Sequence, residues 1–271
     1  MGRGRRSVLT TLLAFGLLVA GCATDDTSTS QASPTAPTTP ATTLSHSASS
    51  PAANAVHPDC VEPAEQASAI RFRNSAGVRL VGVMLGEGRT GILLGHQLRS
   101  SLCEWMDVAR DLADRGYRVL AIDFGGFGES ESAASGRTLR EDVLAGIAQL
   151  RRAGSDRVVL IGSSMGGTAV VAAAPEAKVR LAAVVSLSGP AQFGELDAGA
   201  AARRLTVPAY FAVGEQDGSF TDSARQMYAA ADSKIKRLKI YPTSAHGTQL
   251  TEDQSIYADL LHFLDRVAPA R

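Results

Sequence analysis

Short apolar runs alternate with segments of helical periodicity from about residue 68 to the carboxyl terminus. Eight of the runs are rich in Val, Ile and Leu, as strands are. They cover residues 69–73, 79–85, 91–95, 117–122, 157–161, 182–187, 208–213 and 237–241. The first two have no helical segment between them, which predicts an antiparallel start, whereas helical patterns separate most of the later ones. The pattern predicts an α/β domain with a mostly parallel eight-stranded sheet and helices on both faces.

The helical segments are equally regular. Apolar residues recur at helical spacing from Leu102 to Ala113 and from Leu139 to Leu150, and residues 222–231 and 253–267 have the same periodicity. Thr138, with Glu141 three residues later, predicts a capping box at the start of the second segment. Because about 150 residues are typical of one domain and no repeat is visible, we expect residues 59–271 to form one domain.

The first 21 residues have the layout of a signal peptide. Three arginines at positions 3, 5 and 6 precede a 13-residue run from Val8 to Ala20, and small residues follow. A run of this length is too short to span a bilayer, which needs about 20 residues. We expect this segment to be removed and the mature protein to lie outside the cytoplasm.

The string Leu18-Val19-Ala20-Gly21-Cys22 resembles the lipobox of bacterial lipoproteins. The resemblance implies cleavage before Cys22, attachment of a diacylglycerol to its sulfur, and a lipid-anchored protein of the bacterial cell envelope. Two or more acyl chains would give stable anchoring. The alternative is an ordinary signal peptide followed by an incidental cysteine.

Residues 22–58 begin with this cysteine and continue as a stretch dominated by Ser, Thr, Ala and Pro. Such a composition buries too little apolar surface to offset its ordering entropy, so we expect a disordered tether. His46 and His57 would then be solvated histidines; a metal role is the weaker alternative.

Charge and composition exclude some partners. The chain has 27 basic and 27 acidic residues, and aromatic residues make up 5%. Removing residues 1–21 removes three arginines and no acidic residue, so the mature chain has a net charge of −3. Neither a nucleic-acid footprint nor a basic membrane-binding patch is expected. The remaining cysteines, Cys60 and Cys103, either form a disulfide, as export favours, or stay unpaired.

One serine lies in a context suited to nucleophilic catalysis. Gly162-Ser163-Ser164-Met165-Gly166 matches G-x-S-x-G, which is weak evidence by itself. A buried-strand run precedes it and a helix start at 168–174 follows it. A sharp turn between strand and helix would strain Ser164 and expose its hydroxyl, with free helical N–H groups behind it. The alternative is a tight turn of small residues without chemistry.

A serine needs a base, and the order of the chain suggests one. His246 follows the last strand and comes after Asp217, which itself follows a strand. The Asp217 carboxylate would hold one tautomer of the imidazole and stabilise its protonated form. Asp217 is alternatively a turn residue before Gly218, with Glu215 as the second candidate acid. His96 also follows a strand, and His262 is expected to be a surface or packing residue.

The order Ser164, Asp217, His246 and several loops resemble the α/β-hydrolase superfamily across about residues 68–268. The loop from Asp123 to Ser130 resembles the family's D-x-x-G-x-G-x-S loop, and Gly214-Glu215-Gln216-Asp217 resembles its acid loop. Leu94-Gly95-His96-Gln97-Leu98 lies where the family has its oxyanion loop. The resemblance implies an oxyanion hole formed by the backbone N–H groups of Leu98 and Met165. Gln97 replaces the family's usual glycine, which leaves Leu98 or Gln97 as the first donor, with His96 shaping the loop.

The family resemblance also bears on the reaction. A serine at the elbow implies acyl transfer, whereas the family's dehalogenases have Asp and its dienelactone hydrolases have Cys at this position. Only residues 189–206 are available where many members insert a cap domain. We therefore expect a minimal cap and a shallow, open site. Arg99 is either a solvated side chain or a group that binds an anionic part of the substrate.

Three functions are compatible with these sequence features. The first is a lipid-anchored serine hydrolase that cleaves the ester or thioester of a small or lipid-like acyl substrate. The others are a peptidase or acyltransferase with the same residues and a catalytically silent binding module. No cofactor is expected, because the G-x-G-x-x-G match at Gly86–Gly91 leads into a strand, and no residue spacing is typical of a metal site.

Overall fold

In the computed structural model, the described part of the chain is residues 55–270. Its strands form an eight-stranded sheet in the order β1-β2-β4-β3-β5-β6-β9-β10, together with a separate two-stranded hairpin, β7-β8. The strands are β1 (Ala69–Arg73), β2 (Arg79–Leu85), β3 (Thr90–Gly95), β4 (Arg118–Asp123), β5 (Arg157–Ser163), β6 (Leu181–Leu187), β7 (Gln192–Phe193), β8 (Leu196–Asp197), β9 (Ala209–Gly214) and β10 (Lys236–Tyr241). The strand β2 pairs antiparallel with both β1 and β4, and the other neighbours in the large sheet are parallel. The predicted mostly parallel sheet with an antiparallel start is confirmed.

Helices cover both faces of the sheet. They are α1 (Met106–Asp114), α2 (Leu139–Arg152), α3 (Met165–Ala173), α4 (Ala198–Ala202), α5 (Phe220–Ala230) and α6 (Gln254–Val267). Short 3₁₀ turns span Pro63–Ser68, Leu102–Trp105, Ala174–Glu176 and Gly247–Thr251. Among these described helices, none is long and apolar enough to cross a membrane.

The core has two layers because strand side chains alternate between faces. In β3, Leu93 packs in the layer under α2 to α5, whereas Ile92 and Leu94 pack in the layer under α1 and α6. Trp105 is fully buried in the second layer. The parallel strands are thus apolar on both faces, which explains why their sequences are nearly continuous apolar runs.

The predicted capping box at α2 is wrong. The Thr138 hydroxyl donates to Asp142, at 2.8 Å, and no side chain caps the helix at this residue. Asp142 is buried and also accepts from the Asn74 amide and the Gly125 N–H group. A buried carboxylate needs several donors, and this long-range requirement takes precedence over the local cap.

The folded part begins earlier than the predicted boundary at residue 59. Val56 is fully buried, and the His57 ring donates to Asp123, with 2.6 Å between Nε2 and Oδ2. This bond raises the pKa of His57 above its usual value of 6.5. His57 is therefore not the solvated histidine that composition predicts. Two isolated residues, Val56 and His57, give no helical or strand periodicity within a polar stretch, so the sequence pattern does not predict that this part folds.

Cys60 and Cys103 form a disulfide, the first of the two alternatives left open by the sequence. His57 lies close to both sulfurs, and the three side chains could otherwise supply a metal's ligands. Since a metal would need the thiolates that the disulfide consumes, the described cluster is a structural crosslink. It attaches residues 55–62 to the turn at Leu102–Trp105. Cys22 and the predicted signal segment lie outside the described residues.

Candidate active site

The predicted nucleophile Ser164 lies between β5 and α3 in a strained conformation. Its backbone has φ 48° and ψ −113°, where a non-glycine residue is uncommon. Its N–H group donates to the Leu187 carbonyl at 2.8 Å, which fixes the turn against β6. The side chain is 9% exposed. The strand-to-helix elbow expected from the sequence is present.

Two glycines make this turn possible. A Cβ atom on Gly162 would lie 2.2 Å from the Gly166 carbonyl oxygen, and one on Gly166 would lie 2.3 Å from the Gly95 carbonyl oxygen. No larger residue fits either contact without backbone movement. The glycines of the motif therefore let the elbow approach β3 and the loop that follows it.

Asp217 and His246 are joined by hydrogen bonds. The His246 Nδ1 atom lies 3.0 and 2.9 Å from the two Asp217 carboxylate oxygens. Asp217 follows β9 and His246 follows β10, so both lie beyond the carboxyl edge of the sheet. Donation from Nδ1 fixes the tautomer that leaves Nε2 free to accept a proton. The Phe220 ring packs against the imidazole, with 4.4 Å between centroids.

A hydrogen bond attaches the His246 loop to the elbow. The Thr248 N–H group donates to the Ser163 hydroxyl at 3.1 Å. Within residues 55–270, no hydrogen bond joins the Ser164 hydroxyl to His246. Contacts of this kind are often long in the absence of substrate. The structure thus joins Asp217 to His246 and brings the His246 loop to Ser163, the neighbour of the candidate nucleophile.

His96 is held inside the oxyanion loop. Its Nε2 atom accepts from the Phe124 N–H group at 3.0 Å, so its Nδ1 atom donates to the Gln97 carbonyl at 2.7 Å. The side chain is fully buried, and burial lowers its pKa. Both ring nitrogens of His96 are therefore used in hydrogen bonds to the backbone, which is consistent with a residue that shapes this loop.

The backbone N–H group of Gln97 donates a hydrogen bond, whereas that of Leu98 has no acceptor among the described residues. The Gln97 N–H group donates to the Glu104 carboxylate at 2.9 Å. No bond of the Leu98 N–H group occurs within the described residues, and Leu98 is 38% exposed. Met165 begins α3, where N–H groups lack acceptors within the helix. This favours Leu98 over Gln97 as the partner of Met165 in an oxyanion hole.

The Gln97 side chain links the active-site loops. Its Oε1 atom accepts from the Ser163 hydroxyl at 3.2 Å, and the same hydroxyl accepts from Thr248. A Cβ atom on Gly247 would lie 2.2 Å from the Ser163 hydroxyl oxygen and 2.6 Å from the Gln97 Oε1 atom. Gln97 therefore joins the loop after β3 to the elbow and, through Ser163, to the His246 loop.

Sequence reasoning missed Glu104 and Ser163. Glu104 lies on the 3₁₀ turn at Leu102–Trp105, and burial raises the pKa of its carboxyl to about 7. Glu104 belongs to no motif, and Ser163 fills a variable position of G-x-S-x-G. Their bonds join parts of the chain whose pairing is not visible in sequence. Of the other candidates, Glu215, His262 and Arg99 are exposed.

The similarity to known proteins concerns the fold. Residues 90–205 match the family described as alpha/beta hydrolase fold. An esterase from Pyrococcus furiosus has a TM-score of 0.63 at 18% identity, over 73% of this chain and 90% of the esterase. An enol-lactonase from Burkholderia xenovorans has a TM-score of 0.62 at 18% identity, over 72% of this chain and 99% of the lactonase. The chain therefore has the α/β-hydrolase fold.

Curated relatives match this chain over part of their length. A 2-hydroxy-6-oxononadienedioate/2-hydroxy-6-oxononatrienedioate hydrolase from Burkholderia vietnamiensis is 34% identical over 118 residues, 40% of either chain. The dihydrolipoyllysine-residue acetyltransferase component of the acetoin cleaving system from Cupriavidus necator is 30% identical over 133 residues, 48% of this chain and 34% of the relative. The chain spans 34–40% of the length of these two relatives.

The segment where a cap domain was considered is small in the structure. Residues 189–206 contain the hairpin β7-β8 and the five-residue helix α4. Sequence reasoning allowed one short helix here and did not predict the hairpin, whose strands are two residues each. Strands this short carry no detectable alternation.

Proposed function

We propose that the protein is a lipid-anchored, extracytoplasmic serine hydrolase that cleaves a carboxylic ester or thioester through an acyl-enzyme intermediate. The observation that carries the proposal is the Asp217–His246 pair, at 2.9 Å, beyond the same sheet edge as the strained Ser164 elbow. Ester-type hydrolysis needs a nucleophile, a base and an orienting acid, and these three residues have the required types and chain order.

The first half of the reaction forms the acyl enzyme. The Ser164 oxygen attacks the substrate carbonyl carbon while its proton moves to the His246 Nε2 atom. The negative charge that develops on the carbonyl oxygen is stabilised by the N–H groups of Leu98 and Met165. The bond from the carbonyl carbon to the leaving oxygen or sulfur then breaks, and the imidazolium gives its proton to that atom.

The second half releases the acid. His246 removes a proton from water, the hydroxide oxygen bonds to the acyl carbon, and the bond to the Ser164 oxygen breaks as that oxygen regains the proton. Asp217 stays ionised throughout and stabilises the imidazolium in both halves. The small cap at residues 189–206 is suited to an open site.

Covalent labelling tests the nucleophile. A fluorophosphonate probe should label the wild-type chain, and peptide mass spectrometry should place the adduct on Ser164. Ser164→Ala should abolish labelling. Ser163→Ala is the matched control: it lacks the neighbouring hydroxyl but keeps the nucleophile, so it should still be labelled on Ser164. Labelling that survives Ser164→Ala would contradict the assignment.

A further inference from the structure

A cavity of about 390 Å³ lies between the start of α2 and the cap hairpin. Its walls include Arg137, Leu139, Phe193 and Leu196. Four of its lining side chains are charged, namely those of Arg137, Arg140, Glu141 and Glu195, so a ligand would meet polar as well as apolar walls. Arg137 precedes α2, and Phe193 belongs to β7.

The Arg137 guanidinium is held between two aromatic rings. Its central carbon lies 5.5 Å from the centroid of Phe127 and 5.3 Å from that of Phe193. Its Nη1 atom lies 3.7 Å from the Met165 sulfur. Such contacts restrict a long side chain and lower the entropy that is lost when it binds a ligand.

These contacts place Arg137 next to the catalytic machinery. Met165 directly follows Ser164 and is the proposed second oxyanion donor. The Phe127 ring also packs against the His96 ring of the oxyanion loop, with 5.3 Å between centroids. The guanidinium therefore contacts one side chain adjacent to the nucleophile and another that packs on the oxyanion loop.

Within residues 55–270, no ion pair joins Arg137 to a carboxylate. Glu141 and Glu195 also line the cavity, but neither pairs with it. The neighbouring Arg140 does pair, with Glu176 at 3.5 Å. A guanidinium has five N–H donors, and a thioether sulfur is only a weak acceptor, so the donors of Arg137 remain available to a ligand.

We propose that Arg137 binds a carboxylate carried by the substrate, so that the preferred esters or thioesters are anionic. This inference rests on the proposed function and specifies its substrate class. Planar bidentate pairing with a carboxylate is the geometry that arginine favours, and the contacts with the two rings restrict the guanidinium. The carboxylate belongs either to the acyl half or to the leaving group.

Two matched substrate pairs distinguish these halves. p-Nitrophenyl hexanoate and the mono-p-nitrophenyl ester of adipic acid differ by a carboxylate at the end of the acyl chain. Phenyl hexanoate and 4-carboxyphenyl hexanoate differ by a carboxylate on the leaving group. The measurement is kcat/KM for all four esters with the full-length protein and its variants.

Arg137→Gln should lower kcat/KM for the anionic member of one pair by about 10- to 150-fold, the range for hydrogen bonds to charged groups. The neutral members should change by less than about 3-fold. Arg137→Lys keeps the charge without the planar fork and should give an intermediate loss. Arg140→Gln is the matched control, because it removes an adjacent arginine that is already paired.

The outcomes separate this inference from the proposed function. If the wild type cleaves the esters and Arg137→Gln changes neutral and anionic members by the same factor, the carboxylate site is wrong and the hydrolase stands. The same conclusion follows if Arg140→Gln has the larger selective effect. If the wild type cleaves none of the esters and takes no fluorophosphonate, the proposed function fails and the substrate class fails with it.

Discussion

At the residue scale, two adjacent serines have different tasks. The Ser163 hydroxyl is bonded to Gln97 and Thr248, whereas Ser164 has the strained backbone of the elbow. A hydroxyl that already has two partners cannot move freely to a substrate. The structure therefore distinguishes the two serines by their bonds, while the motif distinguishes them only by position.

Asp217→Asn tests the role of the acid. An amide at this position can present its NH₂ group to the Nδ1 atom of His246, which would favour the tautomer with its proton on Nε2. We expect kcat to fall by about 10³- to 10⁴-fold while the thermal unfolding midpoint stays close to wild type. Steady-state kinetics and calorimetry measure the two effects.

Glu215→Gln is the control for that prediction. Glu215 is exposed and lies two residues before Asp217. Its replacement should change kcat by less than about 3-fold. A large loss in this variant, with little loss in Asp217→Asn, would make Glu215 the acid.

At the element scale, the 3₁₀ turn at Leu102–Trp105 supports the oxyanion loop. Glu104 accepts from the Gln97 N–H group, and the Leu102 N–H group donates to the buried Asp123 at 2.7 Å. Asp123 also accepts a hydrogen bond from the His57 ring. The disulfide joins Cys60 to Cys103, which lies on this turn. Residues 55–62 therefore help to position a loop that is distant in the sequence.

The Glu104 carboxyl predicts a pH dependence of stability. Burial raises its pKa from the usual 4.5 to about 7 in the folded chain, so the folded state retains a proton that the unfolded state has lost. The contribution of this group to the free energy of unfolding therefore falls by about 3 kcal/mol as the pH rises from about 4.5 to about 7. Glu104→Gln removes this dependence.

Urea unfolding at pH 4, 6 and 8 measures that effect. The difference in unfolding free energy between Glu104→Gln and wild type should shift in favour of the variant as the pH rises. Glu87→Gln, at an exposed glutamate, should show no such shift. A difference that stays constant from pH 4 to pH 8 would contradict the buried-carboxyl account.

The disulfide should contribute to stability through the unfolded state. It joins residues separated by 43 positions, and closing a loop of this size typically stabilises a domain by about 2–4 kcal/mol. The double variant Cys60→Ala/Cys103→Ala should lose this amount in urea unfolding, and reduction of the wild type should have a similar effect. Equal unfolding free energies for the oxidised wild type and the double variant would contradict the prediction.

At the scale of the whole molecule, the proposed lipid anchor is separable from the fold. Cys22→Ala should release the protein from the membrane fraction while the folded domain stays intact, because a net charge of −3 gives the mature chain no electrostatic attraction to anionic lipids. Cell fractionation and immunoblotting measure the release. If the variant stays with the membrane after a high-salt wash, another part of the protein holds it there.

The sequence was sufficient to predict the sheet because each strand carries its own signal. The run at 69–73 coincides with β1, and the run at 79–85 coincides with β2. The pairing of Asp217 with His246 was also predictable, since each directly follows a strand in a parallel sheet. Glu104 and His57 were not, because their partners lie 7 and 66 positions away and depend on how the loops pack.

The most direct test of the central claim is the kinetics of the Ser164→Ala, His246→Ala and double variants, with kcat measured for each. Residues that act as one unit have non-additive effects, so each single variant should lose about 10⁴-fold or more and the double variant little more than either. His96→Ala, which disturbs the oxyanion loop and the bond to Phe124 but removes no member of the proposed triad, should lose about 10²–10³-fold. Additive losses in the double variant, or an inactive His96→Ala beside a largely active His246→Ala, would contradict the account.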